Sequence, residues 1–464
     1  MAPCAALRKT PNIMRRSMRY AGVDEAERAM LTAEENNLLC RVENAAPMGR
    51  LMRAHWLPIC MSEEVSEPDG TPLRARLLGE DLVVFRDSDG RLGVVGEHCP
   101  HRRASLALGR NEESGLRCLY HGWKIDVEGN VVEMPSEPPA SCLAAKVKHT
   151  AYRSEEAGGF VWVYMGDGEA PPFESPAWAP SPRTRISIVK MLIDANWAQV
   201  LEGAIDSAHS STLHATDMPP ARVDGARATA TVWPRPSTDK APRLAVQPTD
   251  FGFRYAAIRR PIKDAATRDY IRVTLFVAPF TVLIPPNNLY NLSILNIPVD
   301  DTHTMFYFVA WSDRDGGGID QEAWRKFCGA QPGVDLDRRF RHRRNRDNGY
   351  LQDRQAMRLG DFTGMRGIPA QDMAMWETMG PIADRTTERL GASDVAIVEF
   401  RRLMVDAVRR HAGGAPAIGA PGARPPYVTL QSFEGIVPKD VDWRVLGTPA
   451  APDIRSAAQP VPHG

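Results

Sequence analysis

Hydrophobic and polar positions follow two textures along the chain. Between Arg74 and Tyr164, short apolar runs recur between polar turns: RARLLGEDLVVFRD, RLGVVGEHC, GLRCLYHGWKID, NVVEM and GGFVWVYMG. The punctuation is DSDG, Glu128-Gly129-Asn130 and other Gly-rich pieces. Closely spaced strands with such turns predict a small all-β domain. Ahead of them, LTAEENNLLCRVENA has the pattern of a short helix, followed by an approach loop to residue 60. The second half is coarser. It opens on a strand-like stretch at Ile186 and continues with a helical one, NWAQVLEGAIDSAHSSTLH (196–214). Long β-rich runs follow in YIRVTLFVAPFTVLIPP (270–286), LYNLSILNIPV (289–299) and HTMFYFVAWS (303–312). Near the end, SDVAIVEFRRLMVDAVRRH (393–411) puts Ile397, Phe400, Leu403, Met404, Ala407 and Val408 on one helical face. A sheet followed by a long helix predicts an α+β domain.

The same pattern sets the expected boundaries. Residues 1–30 form an extension without periodicity, expected to be disordered. An all-β domain with an N-terminal helix spans 31–170, and a Pro-rich linker spans 171–185. The α+β domain covers 186–413, and an irregular Gly/Pro/Ala-rich tail covers 414–464. Arg15, Arg16 and Arg19 are not followed by an apolar stretch, which argues against an export signal.

Composition narrows the classes. Hydrophobic residues make up 43% and charged residues 25%, the balance of a soluble globular protein. Lys+Arg and Asp+Glu both total 57, so no basic field exists to hold nucleic acid or an anionic membrane. No apolar run reaches about 18 residues, the length a membrane span needs. Seven cysteines, an odd number, fit a reducing cytoplasm with thiols free for metal rather than a disulfide scaffold.

Metal chemistry is visible in Cys99-x-His101 and, after 16 intervening residues, Cys118-x-x-His121. Two thiolates can bind one iron of a [2Fe–2S] cluster and two imidazoles the other. A tetrahedral Cys₂His₂ zinc site is the alternative. Zinc fingers usually pair Cys with Cys and His with His, whereas each pair here is mixed. His98 breaks the register and is expected to be an ordinary loop residue.

CPHRRASLALGR and RCLYHGW resemble the Rieske motifs of ring-hydroxylating oxygenases, without the extra disulfide cysteines of cytochrome bc Rieske proteins. The resemblance extends through MLTAEENNLLCRVENAAPMGRLMRAHWLP, NWAQVLEGAIDSAHSSTLH and GDFTGMRGIPAQDMAMWETMGPIADR, over about residues 30–410, and points to the phthalate dioxygenase branch. It implies an α+β catalytic domain of helix-grip (START-like) form, a curved antiparallel sheet around a helix, beside the all-β Rieske domain.

A second metal set lies in the segment EGAIDSAHSSTLH. A non-haem Fe(II) oxygenase needs two histidines and one carboxylate on one face of the metal. His209 and His214 are five residues apart, so a helix must distort or end between them, with Ser210, Ser211 and Thr212 as agents of the break. Asp206 is expected on the same helical face as His209. In the family, D-x-x-H-x₄-H is the recurring pattern. The resemblance assigns its Asp to a bridge between an iron ligand of its own subunit and a Rieske histidine of a neighbour. For the third ligand, Asp347, Asp353, Asp361 and Asp372 are candidates. Asp372 sits between apolar residues, where a carboxylate needs a cation, in a stretch that resembles the ligand-bearing segment. Glu377, five residues on, is expected to support a ligand from behind or to be structural.

The resemblance implies the terminal oxygenase component of a two-component aromatic-ring dioxygenase. Its cofactors would be a Rieske [2Fe–2S] cluster and mononuclear Fe(II), with O₂ as co-substrate. NADH and flavin would bind a partner reductase that carries its own iron–sulfur centre, since no strand–helix G-x-G-x-x-G is present. The expected product is a cis-dihydrodiol of an aromatic acid, phthalate-like, benzoate-like or a diaryl ether carboxylate. An O-demethylating monooxygenase and a Rieske electron carrier are the alternatives. A carboxylated substrate favours an arginine in an apolar pocket, for which Arg243 and Arg272 are candidates, with Ser210 beside the ligands. The bridging role of Asp206 implies a homotrimer or a hexamer of stacked trimers.

Overall fold

The computed structural model describes residues 30–138, 140–220, 233–286, 290–420 and 424–450. The disorder expected of 1–30 therefore lies, Met30 apart, outside the described residues, as does the end of the tail. The helix Ala33–Cys40 begins at Thr32, whose hydroxyl accepts from Glu35 N while the Glu35 carboxylate accepts from Thr32 N. A second helix, Pro47–Arg53, occupies what the sequence suggested was a loop, with proline in its first turn.

Ten strands follow: β1 (Trp56–Met61), β2 (Leu73–Leu77), β3 (Glu80–Arg86), β4 (Leu92–Gly96), β5 (Arg110–Glu112), β6 (Gly115–Arg117), β7 (Lys124–Ile125), β8 (Val131–Glu133), β9 (Ala151–Ala157) and β10 (Phe160–Tyr164). They make a six-stranded antiparallel sheet, β1-β10-β9-β4-β3-β2, and a smaller one, β5-β6-β7-β8, inserted between β4 and β9. The run RARLLGEDLVVFRD is a hairpin rather than one strand. It turns at Leu78 and Gly79, at φ of 50° and 81°. Their amides donate to Pro298 O and Val299 O of the second domain, so the turn is pinned from outside its own sequence.

The second domain holds β11 (Arg185–Ile193), β12 (Arg243–Thr249), β13 (Gly252–Arg259), β14 (Arg268–Val277), β15 (Thr281–Ile284), β16 (Asn291–Pro298), β17 (Thr304–Ser312) and β18 (Phe433–Pro438). Its antiparallel order is β11-β17-β16-β15-β14-β13-β12, with β18 also paired to β14. Two strands, β12 and β13, are absent from the sequence reading, and the run 270–286 bends into β14 and β15. All of β13 is buried. Phe253, Tyr255 and Ala257 face the main core, while Ala256 and Ile258 face a second cluster containing Leu430, Val437 and Leu446. The residues after 413 thus cover the outer side of the sheet. The expectation of an irregular tail is corrected over Phe433–Pro438, because the Arg268–Val273 part of β14 extends past β15 and its backbone groups are met by this strand.

On the inner side lies the helix Val395–Ala412, with Phe400, Met404, Ala407 and Val408 buried. Phe400 packs edge-on against Trp197 and Phe276, with centroids 5.9 and 5.2 Å apart. Arg401 is buried on the same helix and donates to Glu202 and Glu388. Glu202, on the helix Trp197–Ala204, also accepts from Arg385 Nε and Nη2. The two domains share one core. Phe160 meets Tyr307 edge-on at 5.0 Å, and Lys190 pairs with Glu64. Trp178, within 171–185, is buried against Trp162 and donates to Gly158 O. That Pro-rich stretch is packed, not a free tether. Among the described residues no helix is long and apolar enough to cross a membrane.

Candidate metal centres and substrate pocket

The first set of candidate metal ligands sits on two loops with the same backbone construction. Cys99 N donates to Ala104 O, and Arg103 N donates back to Cys99 O. Cys118 N donates to Trp123 O, and Gly122 N donates back to Cys118 O. The fifth residue of each loop has positive φ, 60° at Arg103 and 74° at Gly122. The second loop leaves no room for a side chain at that point, since a Cβ on Gly122 would lie 2.6 Å from Pro135. Both thiols are buried, while His101 and His121 meet edge-on with centroids 4.4 Å apart. Trp123 stacks on His101 at 4.6 Å.

These residues fit a cluster. His101 Nδ1 is buried and has no hydrogen-bond partner, a costly state that a metal bond relieves. Burial, with Cys118 nearby, pushes the Cys99 thiol up to about 11 even though the His101 amide favours the thiolate. A metal reverses that balance, because a coordinating thiol gives up its proton. His98 makes an isolated bridge to Ser105 on the first loop.

The second set converges on one point. His209 Nε2, His214 Nε2 and Asp372 Oδ1 are 3.2, 3.4 and 3.2 Å apart. Among the described residues they are the one group of three or more possible ligands this close together. Such a triangle has its centre about 1.9 Å from each corner, near the ligand distances of about 2.0–2.2 Å at a metal. All three donors stand on one side, which suits a metal with open positions.

The local fold differs from the helical expectation. The helix stops at Ala204, short of both histidines, and His209–Ser211 form a separate 3-10 turn. Asp206 and His209 therefore do not share a helical face. Asp206 Oδ1 accepts from the amides of Ala208 and His209, at 2.7 and 3.3 Å, which folds the chain back. Its other oxygen is 3.4 Å from His209 Nδ1. Burial opposes charge at both residues, but their mutual hydrogen bond wins. It lowers the Asp206 carboxyl and raises the His209 imidazole.

Asp372 comes from the helix Ile368–Thr378. That helix touches Trp197–Ala204 at Gly203, where a Cβ would lie 2.1 Å from Trp376 Nε1. The alternatives are used elsewhere: Asp353 caps a helix, Asp361 caps the turn at Thr363 and Gly364, and Asp347 is exposed. Glu377 accepts from Tyr350 and from Asp194 N.

A pocket opens at the triad, walled by Ile284, Ile294, Phe306, Phe308 and Trp376 and holding two arginines, Arg235 and Arg272. Arg272 is buried there as expected, and Ser210 lines the same space. Arg243 is different. It starts β12, an edge strand, with its side chain exposed and outside the pocket lining. The sequence reading missed Arg235. It lies in Trp-Pro-Arg-Pro, which has no periodicity to betray an inward side chain. Arg235 donates to Ser210 Oγ at 3.0 Å, and Arg259 donates to Ser207 O at 2.7 Å. Burial, reinforced by Arg272 and Arg259, pushes Arg235 down to about 9. Arg235 Nε, Arg259 Nη1 and Arg272 Nε are all buried without a hydrogen-bond partner.

Residues 55–148 match the Rieske [2Fe-2S] domain family, and 163–458 match the family described as LigXa C-terminal domain like. The chain is 64% identical over 416 residues to the phthalate 4,5-dioxygenase oxygenase subunit of Pseudomonas putida, covering 89% of this chain and 94% of that one. It is 36% identical over 434 residues to the 3-chlorobenzoate-3,4-dioxygenase oxygenase subunit of Comamonas testosteroni, covering 89% and 97%. In fold it resembles the NdmA QL mutant of Pseudomonas putida CBB5 with caffeine. The TM-score is 0.55 at 20% identity, over 80% of this chain and 95% of that one.

Proposed function

This chain belongs to the Rieske non-haem iron oxygenases, and on that premise we propose that it cis-dihydroxylates a benzene-1,2-dicarboxylate. The observation that carries the substrate class is the pair of arginines in an otherwise largely apolar pocket. Arg235 and Arg272 are buried and line it, with Arg259 buried behind them, and among the described residues Glu434 is the carboxylate paired with Arg272. Two guanidiniums match the two carboxylates of such a substrate. Unpartnered guanidinium N–H groups are the donors that carboxylates accept from bidentately.

Cys99, Cys118, His101 and His121 would hold the Rieske cluster, and His209, His214 and Asp372 would hold the mononuclear iron. Bound, these groups store electrons and activate O₂. The protein's own work is positional. Arg235 and Arg272 grip the carboxylates, so the far edge of the ring turns to the triad. The apolar walls exclude water. Asp206 orients His209 and carries the link to the cluster. The reaction takes the ring, O₂, two electrons and two protons to a dihydrodiol. NADH provides the electrons through a reductase bearing flavin and an iron–sulfur centre.

The assembly that suits this is a head-to-tail trimer. Leu108, Leu119 and Tyr120 are 69%, 61% and 56% exposed around the cluster loops. Leu351, Leu359, Phe362 and Met379 are exposed near the helix that bears Asp372. Contact between one patch and the other on a neighbour covers both and brings a cluster histidine to Asp206. The deciding experiment is product analysis with phthalate, NADH and a compatible reductase. A cis-dihydrodiol retaining both carboxylates is expected. No dihydrodiol from phthalate, with turnover of uncharged aromatics, would sink the reading.

A further inference from the structure

Gln371 immediately precedes Asp372 and is 1% exposed. Its amide can take only one orientation. Nε2 donates to Met365 O at 2.8 Å and to Asp217 Oδ2 at 2.9 Å. A backbone carbonyl cannot donate, so the nitrogen end must face Met365. Oε1 then faces His214 Nδ1 at 2.7 Å, and the imidazole has to be the donor. A neutral imidazole with its proton on Nδ1 carries its lone pair on Nε2. That is the atom 3.2 Å from His209 Nε2 and 3.2 Å from Asp372 Oδ1.

The acceptors are themselves held. Met365 O also accepts from Thr363 Oγ1 at 3.2 Å. The backbone of Asp217 accepts from Trp233 N, and Met218 N donates to His214 O. His214 is thus gripped at its ring by the helix of Asp372 and at its backbone by the turn that follows it. The other imidazole is held differently, since His209 Nδ1 faces the Asp206 carboxylate.

We propose that Gln371 is a positioning residue for the mononuclear metal, fixing the tautomer and ring plane of His214 through an amide locked by Met365 and Asp217. The inference rests on His214 being a ligand. A neutral group is required on this side for a physical reason. Asp372 and Asp206 already balance a divalent cation, and a carboxylate at 371 would face the Met365 carbonyl and Asp217 with no proton to offer either. Orientation of a ligating histidine by its second nitrogen is worth about 10–100-fold in metal affinity.

The test uses full-length protein carrying its Rieske cluster, with the mononuclear site emptied by chelator and titrated with Co(II). Gln371→Leu and Gln371→Glu are expected to bind Co(II) at least about tenfold more weakly than the parent. The Rieske absorption and the unfolding temperature should stay near those of the parent. Gln371→Asn keeps an amide on a shorter stem and should fall between. It also gives the answer if Gln371→Leu does not accumulate. Parent-like Co(II) affinity in these variants, with His214→Ala unable to bind, overturns the role of Gln371 alone. Parent-like affinity in His214→Ala as well overturns the ligand assignment beneath it. A lowered unfolding temperature with unchanged affinity assigns Gln371 to fold stability and likewise overturns the proposal.

Discussion

Glu434 and Arg272 stand opposite each other across β18 and β14, with Oε2 3.7 Å from Nε. The other carboxylate oxygen accepts from the buried Tyr270 hydroxyl. The last strand of the fold thus delivers a counter-charge to the arginine cluster of the pocket. Glu434→Ala removes the one carboxylate that pairs with Arg272, and an unfolding loss of about 1–3 kcal/mol is expected. An added benzene-1,2-dicarboxylate brings its own charge. It should therefore raise the unfolding temperature more in the variant than in the parent. Thermal unfolding with and without the ligand checks this, and equal ligand shifts would refute it.

Arg235→Leu should weaken the dicarboxylate by about one to two orders of magnitude in KM, since a hydrogen bond to a charged group is worth about 1.5–3 kcal/mol. Arg243→Leu should leave KM unchanged, because its side chain is exposed outside the pocket. Steady-state kinetics on the two variants separate the buried arginine from the exposed one.

At Gly203 two effects oppose each other. Alanine in a helix interior normally gains about 1 kcal/mol over glycine. Here its Cβ would lie 2.1 Å from the Trp376 ring nitrogen. Overpacking typically costs about 1–3 kcal/mol, so the sign reverses. Gly203→Ala should push apart the segments that carry His209 and Asp372 and lower the mononuclear iron content. Iron analysis beside the Rieske absorption shows whether the loss is confined to that site.

The two centres should empty independently. Cys118→Ser or His101→Ala is expected to abolish the Rieske visible and EPR signals and leave mononuclear iron bound. His209→Ala or Asp372→Ala should do the reverse. An unchanged Rieske spectrum in His101→Ala would contradict the ligand role of its orphaned Nδ1.

Asp206→Asn should keep both centres and accept electrons at the cluster, yet form almost no product. An amide cannot hold the same charged hydrogen bonds to two imidazoles. Single-turnover yield on pre-reduced enzyme measures this. Normal yield would remove Asp206 from the path.

The candidate metal ligands were readable because ligation chemistry restricts residue type and local spacing. Cys99, His101, Cys118 and His121 lie on two short loops, and His209 and His214 on one. Even Asp372, far along the chain, stood out as a carboxylate among apolar residues. Strand and helix content was readable wherever one face was apolar, as at Phe400, Met404 and Val408 in the long helix. Only tertiary structure decided the rest. The Leu78–Gly79 turn is held by carbonyls more than two hundred residues away. The two-faced burial of β13 depends on C-terminal residues such as Leu430 and Leu446, in a stretch that composition marked as irregular. Arg235, Arg259 and Arg272 look alike among the 57 basic residues of the sequence. Burial and the company of their own kind set them apart, and both are properties of distance, which a one-dimensional pattern does not carry.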